Sequence, residues 1–584
     1  MIKKLFRRML LTQIISSMTV TVCMLIDSIM IGRFLGVDAM SAYGLATPLL
    51  LVFAAFGSLI SSGVQVLCGK TIGRGDREGT DACYSVSLFL AVLISAAGLV
   101  LVLSFLDPFT SLLGAGAPDP GNPVFGLTKH YIIGFILGAP AFLSAQIMVP
   151  YMQIAGFRTR LVAAVAAMTV SDVVFDLLSV FVFHGGTFGM GLASTLSYYV
   201  AFGIGVGCFL KKDCIFRFRR KLIRFGVLKE LLSYGVPTVI NQISMVLLVF
   251  LFNRLLLSVE GTAAVAAYSV ISTVGNICFC VGSGIGAVAM MLAAIFYGDR
   301  DRTSIRKLVG VMTGYAVLLD ALVTAAVLLA APLLVTLFLD PAGGAEALAV
   351  PGLRLFVLSL IPSSVNSSFK NYYQGVNRLR LAELISVLQN FLFPVLSALL
   401  FSRFWGVTGV WLGFVSGESL TLLTFSVIVW SHYRRISFSA DAYSMLEPGF
   451  GIDGDRCFEC TVESVEEAAA VSKRLNDFCR TNGLDRRTSG LIALCVEEMT
   501  VNIVLHGFPK DKRSHSIDVR FILEEEGRLL RIRDDCARFD PTEYLKLHRS
   551  EDPAAHIGLR MVMGMVKEAD YVNSLGLNNL TLSF

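Results

Sequence analysis

Long apolar segments recur through the first three-quarters of the chain, each long enough to cross a hydrocarbon layer of roughly 30 Å. Lipid offers the backbone no hydrogen-bond partners, so each segment is predicted to be a helix. From about Asp453 onward the apolar segments end and charged residues crowd together, which predicts a change from membrane to water. The mean hydropathy of +0.69 agrees with a largely membrane-embedded protein. We place twelve spans near residues 10–34, 43–67, 84–106, 128–154, 160–183, 188–210, 232–257, 263–296, 308–338, 349–375, 381–403 and 405–431.

The basic residues predict how these spans are oriented. If the N-terminus is cytoplasmic, the loops after the even-numbered spans are cytoplasmic too, and these loops are the ones rich in Lys and Arg. The opposite loops, such as 107–127 and 339–348, carry almost none. The pattern predicts a multi-pass protein of a bacterial-type inner (plasma) membrane with both termini in the cytoplasm. It also accounts for the net charge of +5 without a nucleic-acid partner.

The first half of the membrane region repeats in the second half at an offset of about 222 to 225 residues. Two six-helix repeats of one orientation imply a pseudo-two-fold axis along the membrane normal, with substrate bound between the halves. We therefore expect a first lobe at 1–210, a basic cytoplasmic linker at 211–229 and a second lobe at 230–435. The matching segments are Gly36–Tyr43 with Gly261–Tyr268, Gly75-Asp76-Arg77 with Gly298-Asp299-Arg300, and Pro140, Tyr151 and Arg158 with Pro362, Tyr373 and Arg380.

Three motifs in this order carry a family resemblance. Asp27 is followed by Gly32-Arg-Phe-Leu-Gly36, a Gly73-Arg-Gly-Asp-Arg77 loop comes next, and Tyr234-Gly-Val-Pro237 opens the second half. Over about residues 1–435 the chain resembles the multidrug and toxic compound extrusion (MATE) family. The resemblance implies a twelve-helix, V-shaped antiporter that exports drugs or other cationic or amphipathic small molecules in exchange for Na⁺ or H⁺.

Carboxylates inside the predicted spans are candidates for the coupling-ion site. Asp27 lies in the first span, and Asp172 and Asp176 share a helix face in the fifth. A carboxylate in the bilayer is costly unless it meets a cavity, a partner or a cation, although Asp27 could also be a structural residue near a helix end. The resemblance implies that the three form a cation or proton site, with Asp172 standing where the family has Asn; the alternative is that Asp172 lies at the interface without a role. Polar residues of the second half could line the other lobe, but helix–helix hydrogen bonds are expected for most of them: Asn241, Gln242, Asn366, Gln389, Asn390 and Glu418.

The region after a linker at 436–456 alternates between strand-like and helix-like segments. Strands are predicted at 457–462, 515–523, 527–533 and twice before Phe584, with helices at 464–480, 486–506 and near 556–568. This order predicts an α+β sandwich at 457–584 with helices on one face of the sheet. The linker leaves no room for the phosphoacceptor helix pair of a sensor kinase.

Three positions in this domain suggest nucleotide chemistry. Glu498 and Asn502 lie one helical turn apart, Asp534 follows a strand, and His556-Ile-Gly-Leu559 precedes a helix whose N-terminus could meet phosphates. The region 455–584 resembles the ATPase superfamily of gyrase, heat-shock chaperones and histidine kinases, especially its anti-sigma-factor serine kinases.

That resemblance implies ATP and Mg²⁺ as cofactors, with Glu498 as catalytic base, Asn502 as magnesium ligand, Asp534 as adenine reader and Gly558 in the phosphate loop. The chain departs from the family because Cys536 and Arg538 replace two glycines and His556 replaces a third. Glycine lets backbone amides approach phosphates most easily, so these losses predict weaker nucleotide binding or turnover. The alternative for Glu498 and Asn502 is an exposed helix face.

Together these features predict a mainly α membrane protein that works as a secondary antiporter with a cytoplasmic nucleotide-binding regulatory domain. Its partners would be a small-molecule substrate, the lipid bilayer and a cytoplasmic regulatory protein. One alternative is a membrane receptor whose ATPase-like domain acts as a serine kinase or partner-binding module. A second alternative, a flippase for lipid-linked substrates, would want a cluster of Arg in the membrane, which the sequence lacks.

Overall fold

The computed structural model describes residues 2–116, 122–211, 214–338, 345–434, 436–510, 514–523, 527–547 and 556–584. Among these residues fifteen helices make up the membrane region, and we describe them as a first and a second lobe. The first lobe contains α1 (Ile2–Met30, continued by a π-helical turn Ile31–Leu35), α2 (Val37–Arg74), α3 (Arg77–Ser104), α4 (Leu106–Thr110), α5 (Pro123–Ile136), α6 (Ala139–Ile154), α7 (Arg158–Phe181) and α8 (Gly186–Phe209).

The second lobe is built in the same way. It contains α9 (Phe225–Glu260), α10 (Thr262–Gly298), α11 (Arg302–Thr336), α12 (Ala345–Val357), α13 (Leu360–Gly375), α14 (Leu379–Val387, continued by a π-helical turn Leu388–Leu392) and α15 (Phe393–Tyr433). In the described chain ten helices are long and apolar enough to cross a membrane, or up to twelve if each of two bent pairs is one span.

Two of these candidate spans are not single membrane-crossing helices. Residues Leu379–Tyr433 form one 55-residue stretch, but the backbone turns at Gly406 (φ 55°, ψ −133°), the second residue of the last predicted span. The stretch Arg486–Lys510 is a candidate span by its length and composition alone. Its apolar face packs with the sheet of the C-terminal domain, so it is an amphipathic helix of that domain.

The structure shifts one predicted match between the repeats by two residues. Asp76 caps α3 by accepting a hydrogen bond from the Gly79 amide, and in the second lobe the residue that caps α11 in this way is Asp301. The left-handed residues before these caps are Gly75 and Arg300. Asp76 therefore corresponds to Asp301 and not to Asp299. The position equivalent to Asp299 in the first repeat is Arg74.

The two lobes pack closely at one end of the membrane region, which we call the domain face because the C-terminal domain lies there. A Cβ at Gly63 on α2 would overlap the carbonyl oxygen of Leu231 on α9. One at Gly73 would overlap the carbonyl oxygen of Ile295 on α10. Only glycine permits such backbone contact, so the lobes are closed against each other at the domain face.

The C-terminal domain is the predicted sandwich. After α16 (Ala440–Tyr443), its elements are β1 (Cys457–Val462), α17 (Val465–Thr481), α18 (Arg486–Asn502), β2 (Ile517–Leu523), β3 (Arg528–Asp534), α19 (Pro541–Leu547), α20 (Ile557–Met565), β4 (Glu568–Ser574) and β5 (Leu577–Ser583). The strands pair antiparallel in the order β1-β2-β3-β5-β4. The apolar residues of α17, α18 and α20 cover one face of this sheet. Helix α19 lies between β3 and α20, where the sequence predicted neither a helix nor a strand.

Candidate cation and nucleotide sites

The three predicted carboxylates of the first lobe come together between α1 and α7. Asp27, Asp172 and Asp176 are 8%, 3% and 0% exposed, and they lie close enough to interact electrostatically. Ser194 on α8 donates a hydrogen bond to Asp27 Oδ2 at 3.3 Å. Among the described residues no hydrogen bond reaches Asp27 Oδ1, Asp172 Oδ1 or either oxygen of Asp176. Buried carboxylate oxygens that lack donors are suited to a hard cation or a proton.

A second polar network lies in the other lobe. Asn366 on α13 donates to the Glu418 side chain at 2.7 Å and to its carbonyl oxygen at 2.9 Å. Gln389 donates to the same carboxylate at 3.3 Å and to Ser363. All four residues are buried. These contacts match the helix–helix hydrogen bonds that the sequence predicts, and they hold α13, the π-helical turn after α14 and α15 together.

A cavity of about 970 Å³ lies between the two lobes. Most of its polar lining comes from hydroxyl and amide side chains. Helix α13 contributes a stripe at helical spacing, and the cavity is also lined by Asn241 and Asp320. The cavity is large enough for a drug-sized molecule. The residues of the α13 stripe are Ser363, Ser364, Ser367, Lys370, Asn371 and Gln374.

Glu498 and Gly558 meet directly in the C-terminal domain. Gly558 lies in the first turn of α20, and a Cβ there would overlap Glu498 Oε2. Asn502 ends α18 one turn beyond Glu498, and both side chains are partly buried. The structure therefore places the predicted base beside the predicted phosphate loop. Residues 548–555, which precede this loop, lie outside the described part of the chain.

Asp534 is the last residue of β3, and its side chain is buried. Its Oδ1 accepts hydrogen bonds from Asn578 Nδ2 at 2.9 Å and from the Cys536 amide at 3.0 Å. Burial raises the pKa of Asp534, although these hydrogen bonds oppose the rise. Asn578 on β5 thus fixes the orientation of a carboxylate that the family resemblance assigns to adenine.

His556 occupies the position of a lost glycine and keeps the backbone conformation that glycine favours. Its φ of 58° and ψ of 35° are left-handed, and it precedes the first residue of α20. The ring Nε2 lies 3.1 Å from the hydroxyl of Tyr544 on α19. The turn into α20 therefore survives the glycine loss, and the change adds an imidazole beside it.

Comparison with known proteins decides the family. A model of the MatE family matches residues 13–178 and 237–399, more than half of the chain. The chain belongs to the MatE family. A model of the histidine kinase-like ATPase domain matches residues 461–584. Both resemblances drawn from the sequence are thereby confirmed.

Several curated proteins and solved structures resemble this MatE chain. A probable multidrug resistance protein NorM of Bradyrhizobium diazoefficiens is 27% identical over 67% of this chain and 85% of its own length. The multidrug export protein MepA of Staphylococcus haemolyticus is 21% identical over 70% of this chain and 88% of its own length. A crystal structure of a MATE protein in complex with MaL6 matches with a TM-score of 0.70 at 20% identity, over 76% of this chain and 98% of that one. The structural match shows the fold of the membrane region.

Sequence reasoning missed two charged residues in the second lobe of this MatE protein. Lys370 is 9% exposed and donates a hydrogen bond to Asn241 Oδ1 at 2.6 Å, while Asn390 donates to the same oxygen. Asp320 on α11 is 1% exposed, and its Oδ2 has no partner among the described residues. Both are charged residues inside predicted spans, the same signal that identified Asp27.

Proposed function

We propose that this MatE protein is a secondary antiporter that exports cationic or amphipathic small molecules in exchange for Na⁺ or H⁺. The observation that carries the proposal is the buried cluster of Asp27, Asp172 and Asp176, in which four carboxylate oxygens have no hydrogen-bond partner among the described residues. Leu25 and Ser28, which flank Asp27 on α1, line the cavity between the lobes. A cation or proton would neutralise the cluster, and its release would change the packing of α1 against α7. The names of the multidrug relatives support a small-molecule substrate.

Efflux from vesicles under imposed Na⁺ or H⁺ gradients tests this proposal. Fluorescent ethidium is a suitable cationic probe, and Asp27→Asn keeps the size of the side chain while removing its charge. Asp38→Asn, an exposed carboxylate at the start of α2, is the matched control. We expect gradient-driven efflux in the wild type and in Asp38→Asn and its loss in Asp27→Asn. Efflux that ignores both gradients and the Asp27 change would reject the antiporter.

We further propose that the protein lies in a bacterial-type inner membrane with its domain face toward the cytoplasm. The supporting observation is the concentration of Lys and Arg in the loops on that side. The contact of Lys4 of the N-terminal helix with Asp535 of the C-terminal domain supports a topology in which both ends of the chain share one side of the membrane. Impermeant amine labelling of the domain in inside-out, but not right-side-out, vesicles tests this orientation.

The C-terminal domain is proposed to bind Mg²⁺–ATP and to regulate transport. In this reading Asp534 binds adenine, Asn502 supplies a magnesium ligand, and Glu498 orients water or an attacking hydroxyl. The contact of Glu498 with Gly558 supports the arrangement. Binding of a fluorescent ATP analogue should be lost in Asp534→Asn and lose its Mg²⁺ dependence in Asn502→Ala. An analogue that binds equally to all three proteins would refute the site.

The second candidate function is that of a membrane receptor whose C-terminal domain acts as a serine kinase. The observation in its favour is the extensive contact between that domain and the transporter. Glu498→Gln separates the two functions because it removes a base while keeping the side-chain size. Phosphorylation of a cytoplasmic partner that depends on Glu498, with efflux unchanged, would favour the kinase. Regulation of efflux by ATP that survives in Glu498→Gln would favour nucleotide sensing by the antiporter.

A further inference from the structure

One face of the domain sheet is not covered by the helices of the domain. This face carries arginine side chains and packs against the domain face of the transporter. Arg520 and Arg531 lie directly opposite each other on β2 and β3, and Arg533 lies two residues along β3. Like charges in that arrangement destabilise a sheet unless a counter-charge is present. Asp299, at the end of α10, supplies it: its carboxylate contacts Arg531 and lies 3.4 Å from Arg520 and 3.5 Å from Arg533.

Asp299 belongs to the second lobe and has no acidic counterpart in the first, where Arg74 takes its place. Arg520 also donates to the carbonyl oxygens of Asp299 and Arg300, at 3.1 Å and 3.2 Å. The helix α16 adds a second attachment to this lobe, because the hydroxyls of Tyr372 and Tyr373 donate to carbonyl oxygens in the α16 segment at 2.9 Å each. The domain is therefore firmly fixed to the second lobe.

The same domain also contacts the first lobe, through four contacts that we call the latch. Asp535 pairs with Lys4 of α1, and Asp570 pairs with Arg77 at the start of α3. The Leu575 amide donates to the Ile154 carbonyl oxygen at 2.7 Å. The latch also includes a hydrogen bond from Arg158 to the carbonyl oxygen of Leu575.

Asp535 is the most buried charge of the latch, with 2% of its side chain exposed. Its Oδ1 lies 3.0 Å from His515 Nδ1, and Arg8 lies 3.9 Å from its Oδ2. Although burial alone would raise the pKa of Asp535, hydrogen bonds from Lys4 and His515 hold it below its ordinary value. The carboxylate of Asp535 therefore stays charged, and its stabilisation depends on the positive charges of Lys4 and Arg8 on α1.

From these contacts we infer that the C-terminal domain is a clamp that holds the two lobes together at the domain face. A transporter that works by rocking two lobes must part α2 from α9 and α10 to open on that side. A rigid domain fixed to one lobe and latched to the other opposes that separation. The transporter opens at the domain face only after the latch releases, with the domain remaining on the second lobe. This inference rests on the proposed alternating access.

Hydrogen exchange of the full-length protein in lipid nanodiscs tests the clamp. The variant Lys4→Glu/Arg8→Glu reverses both charges that face Asp535, and Lys3→Glu/Arg7→Glu makes the same charge change on the same two turns. The helix ends at 58–73 and 228–240, where α2 meets α9, report opening. We expect hydrogen exchange at these helix ends to rise by about tenfold in the first variant, because a shift of this size follows from losing a modest coupling between the closed and open states. In the control variant we expect the wild-type rate.

Two further peptides make the result decisive. Residues 492–499 in the domain core show whether the domain remains folded, and residues 568–574 show whether the latch has opened. Faster exchange at the latch with unchanged exchange at the helix ends would overturn the clamp, as would equal effects of both double variants. Unchanged exchange at the latch itself would show that Lys4 and Arg8 do not hold it, which also overturns the inference. The measurement needs no transport, so a failed antiporter assay leaves it valid.

Discussion

Replacing Asp299 with Asn should loosen the C-terminal domain from the transporter more than any other single amide substitution at this interface. The carboxylate is 2% exposed and serves three arginines whose side chains are 11% to 21% exposed. Asn keeps the size of the side chain but removes the carboxylate that the opposed Arg520 and Arg531 share, so that Arg520 keeps only its weaker share of counter-charge from Glu459 and Asp301. Burial of Arg531, together with the neighbouring charge of Arg533, lowers the pKa of Arg531 to about 10.

The magnitude follows from the cost of a buried charge that loses its partner, which is about 3–5 kcal/mol. The lower end applies, because the guanidinium groups retain some water and two of them have further partners. Arg520 lies 3.0 Å from Glu459, and Arg533 donates to Asn579 at 2.6 Å. A loss of about 3 kcal/mol corresponds to roughly a hundredfold larger population of the undocked domain.

Limited proteolysis of the purified full-length protein measures that population. When docking is fast relative to cleavage, the rate at which subtilisin releases the domain tracks the undocked fraction. We expect release to be faster by one to two orders of magnitude in Asp299→Asn, in line with the estimate above. Asp477→Asn, on the exposed side of α17, removes one carboxylate away from the interface and should cleave at the wild-type rate.

A double substitution tests the reason for the effect. Arg531→Met removes one of the two opposed cations, so it should cost less in the Asp299→Asn background than alone. Arg528→Met, on the same strand, provides the matched control for losing an arginine. Strictly additive effects of Asp299→Asn and Arg531→Met would refute the argument from uncompensated charge, as would a wild-type cleavage rate in Asp299→Asn.

Three further predictions concern other parts of the molecule. Glu418→Ala should lower the unfolding free energy by about 1–3 kcal/mol because it strands buried amide donors, while Glu418→Gln should cost less; thermal unfolding in detergent measures both. Gly558→Ala should weaken binding of a fluorescent ATP analogue, since the added methyl displaces the Glu498 carboxylate; unchanged affinity would show that the contact is unimportant. Lys4→Glu/Arg8→Glu should change the affinity for the same analogue, and identical affinity would show that latch and nucleotide site are independent.

The sequence predicted the membrane architecture well because its signals are local. Span length and apolar composition each depend on a short stretch of chain, and the repeat depends on two such stretches. The exact repeat register was wrong at the loop between α10 and α11 because Gly-Asp-Arg recurs there by letter, while the left-handed Arg300 and the cap Asp301 determine the geometry. Matching the motif by its letters, without its turn conformation, therefore aligned Asp299 with the wrong residue of the first repeat.

The glycine losses in the C-terminal domain show a different limit. Sequence reasoning expected the replacement of glycine by His556 to weaken nucleotide binding, because backbone amides approach phosphates most easily through glycine. The structure places His556 in the left-handed conformation all the same. Among non-glycine residues, His is one of those that tolerate this region, so the identity of the replacement mattered as much as the loss.

The docking of the domain could not be predicted from the sequence, because its charges lie far apart along the chain. Asp299 and Arg520 are more than 200 residues apart, and nothing local to either shows that they meet. One signal was present: Arg531 and Arg533 alternate with the apolar residues Leu530 and Ile532 on β3. Such a strand buries one face and presents cations on the other, which indicates a partner for the second face.

The end of β3 brings the proposed nucleotide site and the latch within one peptide bond of each other. Asp534 accepts from Asn578 inside the domain, whereas Asp535 pairs with Lys4 of the transporter. A nucleotide that pulled on Asp534 would move the backbone that positions Asp535, and release of Lys4 would free that same backbone. Any coupling between nucleotide binding and the Lys4–Asp535 contact must be reciprocal, because both act on the same equilibrium. Since Lys4 and Asp27 share helix α1, this short segment offers a direct mechanical path from the nucleotide to the coupling-ion carboxylates.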